Sequence, residues 1–93
     1  MLEEITVLYD LVVYTEFGIY LGEVSNITID AEKCEIESLI LEQTNDTLVD
    51  EGRAVSIPFR WVGAVGDIII LKHFPQRIEM TPEEREIWER QNS

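Results

Sequence analysis

Between residues 12 and 24, β-branched and aromatic side chains are interrupted by polar turn formers and by Gly18 and Gly22. The same texture returns at Ile57-Pro58 and at Gly66-Asp67-Ile68-Ile69-Ile70-Leu71. Short apolar runs closed by Gly, Asp or Pro read as strands, and strands this short with bends between them read as a small barrel. The pattern predicts an all-β domain: a strongly bent antiparallel β-barrel of five or six strands, with a short C-terminal helix.

The local pattern is specific in places. A strand at residues 12–14 meets a turn at 15–18, where Gly18 supplies a positive φ. Residues 19–30 form the longest strand, and a β-bulge near Ser25-Asn26 would put Val24 and Ile27 on one face. After a turn at 30–33, residues 34–41 form a strand with Cys34, Ile36 and Ile40 on one face. Glu35 and Glu37 take the other face, and by alternation Leu39 and Leu41 fall on that charged side. Residues 43–52 read as a solvated polar loop. A short strand at 54–58 has Val55 and Ile57 inward, an irregular segment carries Trp61, and Ile68 to Leu71 read as a central strand buried on both faces. Thr81-Pro82-Glu83-Glu84 is a helix start with a capping box, and the helix runs to about Gln91. Its only large apolar residues are Ile87 and Trp88, too thin a face to hold it to a core, so a mobile or partner-docked tail is expected. The division is a barrel-like domain over 1–76 and a helical tail over 77–93.

A 93-residue chain is one small domain of marginal stability. A single cysteine forbids an internal disulfide. A homodimer would add buried area, with Leu39 and Leu41 as its apolar contacts. Trp61, Ile87 and Trp88 are the further interface candidates, because aromatic side chains anchor interfaces. The net charge of −12, from 19 acidic and 7 basic residues, opposes nucleic acid and anionic lipid as partners. The basic residues Arg60, Lys72, His73 and Arg77, interleaved with Trp61 and Phe74, read instead as a spot for acids of a second subunit. The acidic start Met1-Leu2-Glu3-Glu4 is the reverse of a secretory leader. No apolar run approaches the roughly 20 residues a membrane helix needs. The expectation is a cytoplasmic protein with no membrane insertion.

No constellation for chemistry emerges. Cys34 and His73 cannot by themselves make a zinc site, and Cys34, on an apolar strand face among glutamates, reads as core packing with a blunted thiol. His73 reads as a surface residue. Asp30 and Asp67 read as turn residues that accept backbone hydrogen bonds. Asn45, Asp46, Asp50 and Glu51 read as a solvated acidic loop. No catalytic residue, no metal and no cofactor is expected, and the chain is not expected to be an enzyme.

Taken together, Gly18, Leu21-Gly22-Glu23-Val24, Ile29-Asp30, Ile57-Pro58 and Gly66-Asp67-Ile68 resemble the PRC-barrel domain over roughly residues 5–74. The resemblance implies a binding module rather than an enzyme. The chain looks most like the stand-alone archaeal members, some of which are similar to cell-division adaptors. What that implies is recruitment to the division site and partners such as a SepF-type anchor of the FtsZ ring or another PRC-barrel protein. An RNA- or ribosome-metabolism role, through a basic ribosomal protein, is the alternative.

Overall fold

The computed structural model describes residues 6–92. The acidic start 1–4 and the first residue of the lead-in segment lie outside them. Seven short strands alternate with turns: β1 (Val12–Tyr14), β2 (Tyr20–Glu23), β3 (Asn26–Asp30), β4 (Glu35–Leu41), β5 (Val55–Pro58), β6 (Val62–Val65) and β7 (Ile69–Leu71). One helix, α1 (Pro82–Gln91), follows. The strands make two sheets, one ordered β2-β1-β7-β6 and the other β3-β4-β5. Among the described residues no strand pairing joins the sheets into a closed barrel, and the strand count exceeds the expected five or six.

The first hairpin follows from its turn residues. Gly18 takes φ 78°, and the buried Thr15 hydroxyl accepts the N–H groups of Phe17 and Ile19 at 3.3 Å each. The expected long strand at 19–30 is two strands in two sheets. The chain leaves the first sheet after Glu23 and enters the second at Asn26. Val24, 1% exposed, is the corner post. Its backbone pairs with Leu11 and Asp10 on one side, while Ser25 bonds the Ile40 carbonyl on the other.

β4 corrects the expected faces. Thr28 pairs with Ser38, but Ile29 pairs with Ile36, so Glu37 is an extra residue in β4. A bulge of one residue reverses the alternation beyond it. Ile36, Leu39 and Leu41 therefore all turn inward, and Leu39 and Leu41 have no exposed surface. They are core residues, not contacts on a charged outer face. Cys34 is also corrected: it is exposed and sits at φ 54° in the turn before β4, not in the core. Asp30 does accept backbone N–H groups, from Glu32 at 3.1 Å and Lys33 at 3.2 Å.

The core lies between the sheets and joins Val13, Leu21, Val24, Leu39, Leu41, Val55, Ile57, Ile69 and Leu71. The 43–52 loop contributes Leu48 and Val49, so it is pinned rather than solvated. Asn45 fastens it to β2: its N–H donates to the Leu21 carbonyl and its side-chain amide to the Tyr20 carbonyl, both at 2.8 Å. β7 is central in its sheet but buried on one face only. Ile69 and Leu71 are inside, while Ile70 is 40% exposed.

Candidate interaction surfaces

The two sheets present different outer faces. On the second sheet, Thr28, Ser38 and Ser56 form a string of hydroxyls, with Ser56 donating to Ser38 at 3.0 Å and Ser38 sharing a hydrogen bond with Thr28. On the first sheet the register places Tyr20 beside Tyr14, Tyr14 beside Ile70, and Ile70 beside Ala64. Tyr14 and Tyr20 meet edge to face at 6.1 Å. Tyr20 and Ile70 stand about two-fifths in solvent, and Ile68 shares a shallow depression with Ile70 and Tyr14. The cross-strand row carries no charge. An acidic domain thus leaves apolar side chains in solvent on this face. An unbroken run of Ile and Leu cannot by itself distinguish two-sided from one-sided burial, so nothing in the sequence pattern singles this face out.

The second surface is α1 and the segment leading to it. Thr81 and Glu84 form the expected capping box, with Glu84 N–H donating to the Thr81 hydroxyl at 3.2 Å and Thr81 N–H to the Glu84 carboxylate at 2.9 Å. The helix is held by charge rather than by its apolar face. Asp50 is the hub. One carboxylate oxygen accepts Arg77 Nε and Nη2 at 2.9 and 2.6 Å, and the other accepts Met80 N–H at 3.0 Å and Arg85 Nη2 at 3.2 Å. Arg77 also donates to the carbonyls of Asp46 and Thr47, and Arg85 reaches Glu51 at 3.4 Å. The backbone of Ile78 pairs with Leu48 and Asp50 in strand fashion. Donation from Met80 N–H, aided by Arg77 and Arg85, holds the Asp50 carboxyl below its ordinary range. The Thr81 N–H does the same for Glu84. The tail, expected to be mobile or partner-docked, is thus tied to its own domain, and Asp50 and Glu51 are paired, which corrects the freely solvated loop.

The clamp leaves a cleft beside the helix, of about 250 Å³, lined by Arg53, Met80, Glu84, Ile87, Trp88 and Gln91. Ile87 is 52% exposed and Trp88 is half-buried. Arg53 Nε is buried there without a hydrogen-bond partner among the described residues. Trp61 lies elsewhere, at the rim of the core, edge-on to His73 at 4.9 Å and to Phe74 at 6.3 Å. The five interface candidates therefore separate: Leu39 and Leu41 are interior, Trp61 is at the rim, and Ile87 and Trp88 line the helix cleft. Among the described residues, no group of three or more His, Cys, Asp or Glu side chains is placed to hold a metal ion. No helix among them is long and apolar enough to cross a membrane.

The family model described as the PRC-barrel domain matches residues 2–77. The chain belongs to the PRC-barrel family. No curated protein matches it. The match to the PRC-barrel domain stops inside the clamp. Arg77 and its acceptors Asp46, Thr47 and Asp50 lie within the matched domain, whereas Met80, Arg85 and the whole of α1 lie beyond it. The helix cleft is therefore built jointly by the PRC-barrel domain, through Arg53, and by the segment that follows it.

Proposed function

We propose that the chain is a non-enzymatic adaptor that joins other proteins, and that at the archaeal division site it links a SepF-type anchor or another PRC-barrel protein. Membership of the PRC-barrel family, as a small interaction module, supports the general reading. The observation that carries it is the clamped helix. A helix held by ion pairs, with Ile87 in solvent beside a Trp88-lined cleft, offers a pre-ordered apolar anchor, which lowers the entropy cost of docking. A basic ribosomal protein is the second reading, favoured by the net charge of −12.

Affinity capture of the tagged protein from its native host tests this. Division proteins in the eluate, reduced about tenfold or more by Ile87→Glu as for an interface anchor, support the adaptor. Ribosomal proteins in their place support the second reading. Capture unchanged by Ile87→Glu removes the helix from either.

A further inference from the structure

We infer that the outer face of the β2-β1-β7-β6 sheet is the contact between two copies of this chain, packed face to face about a two-fold axis that runs along the strands between β1 and β7. The row across that face is graded in size: Tyr20 on β2, Tyr14 on β1, Ile70 on β7 and Ala64 on β6. The large side chains lie on one half of the sheet and the small ones on the other. A two-fold contact is self-complementary, so each residue must suit the one it is carried onto. This axis carries β2 over β6 of the other copy and β1 over β7. Tyr20 then stands over Ala64, the largest over the smallest, and Tyr14 over Ile70. Two wedges meet head to tail and fill the space between sheets at the ordinary spacing of about 10 Å.

The charges agree with the shape. The row itself has none, and Glu23, opposite Val12 in the next row of the same face, stands at its border. Beyond the strands, Glu16 lines the same depression at the end of β1, and Lys72 follows Leu71 at the end of β7. The same axis brings these two ends together between copies, acid over base. The hydroxyl string on the other sheet offers no equivalent surface. A domain of this size buries a modest fraction of its surface alone, and covering an apolar sheet face with a second sheet is the usual way such faces are removed from water. The contact is independent of any partner bound through the helix.

Sedimentation equilibrium on the purified chain and two exposed-site variants tests the inference. The wild type should dimerise in the micromolar range, ~1–100 μM. Ala64→Tyr sets two tyrosines against each other and Tyr20→Ala leaves two gaps, so each alone should dimerise at least about tenfold more weakly. Mixed in equal amounts they should pair with one another, because every tyrosine then faces an alanine. In the wild type, isotope-filtered NMR on a mixed-label sample should show contacts between the Tyr20 ring of one copy and the Ala64 methyl of the other, independently of how the variants fold. A monomeric wild type at ~1 mM, variants that dimerise like the wild type, a mixture that stays monomeric, or a dimer without the Tyr20–Ala64 contact would each overturn it.

Discussion

Arg85, on the C-terminal helix, donates at 3.2 Å to Asp50, 35 residues earlier in the chain. That pair, with Arg77 on the other carboxylate oxygen at 2.6 Å, fixes a helix whose own apolar face is too narrow to do so. Asp50→Asn should weaken both arginine contacts while leaving the sheets intact. Trypsin should then cut after Arg85 and Arg90 faster than in the wild type, with the near-ultraviolet signal of the core unchanged. Equal cleavage rates would show that the Ile78 backbone pairing alone holds the tail.

Acid should release the same helix. The folded carboxyl of Asp50 lies below its ordinary value of 3.8, chiefly through Met80 N–H, and that of Glu84 below 4.5, chiefly through Thr81 N–H. A group depressed on folding contributes stability above its unfolded value and loses that contribution as pH falls through its folded one. The clamp should therefore hold down to about pH 4 and weaken below it. Carboxyl-detected NMR should give midpoints under 3.8 for Asp50 and under 4.5 for Glu84. Arg85 is raised, chiefly by Glu51, and stays charged throughout.

Leu39→Ala should cost about 2–5 kcal/mol, as for a fully buried leucine, read as a lower urea midpoint. Leu39→Glu with Leu41→Glu should leave the chain unfolded rather than change how it associates, which circular dichroism would show directly.

Two glycines separate backbone strain from crowding. Gly18 and Gly52 both have positive φ, at 78° and 59°. A Cβ at Gly18 meets nothing within 4 Å, whereas one at Gly52 comes to 2.7 Å from the Thr44 carbonyl oxygen. Gly18→Ala should cost about 1 kcal/mol, the conformational penalty alone. Gly52→Ala should cost distinctly more and loosen the loop that carries Asp50. Equal losses in thermal unfolding would mean that the loop shifts to accept the methyl group.

Features with short-range causes were legible in the sequence. The φ of Gly18, the acceptor role of Asp30 and the Thr81–Glu84 capping box each depend on residues within a few positions, and all are present. Glu37 shows why the strand faces were not. Its bulge leaves no mark in composition, yet one extra residue carries Leu39 and Leu41 from the surface to the centre. The Asp50 clamp was illegible for another reason: its members are spread from residue 46 to 85 and only the fold brings them together. The outer row of Tyr20, Tyr14, Ile70 and Ala64 depends on which strands lie side by side, and β1 beside β7 is a parallel pairing from opposite ends of the domain.

The hydroxyls of Thr28, Ser38 and Ser56 are satisfied by one another. Ser38, at the centre of the string, is buried, so these hydroxyls spend their hydrogen bonds inside the sheet rather than on a neighbour. If the outer face of the first sheet is the contact between copies, copies that meet there form pairs and stop, because that contact leaves no second self-complementary face. On that proposal the serines and threonine of the second sheet would set a ceiling on growth, since their paired hydroxyls offer a further copy nothing to bond.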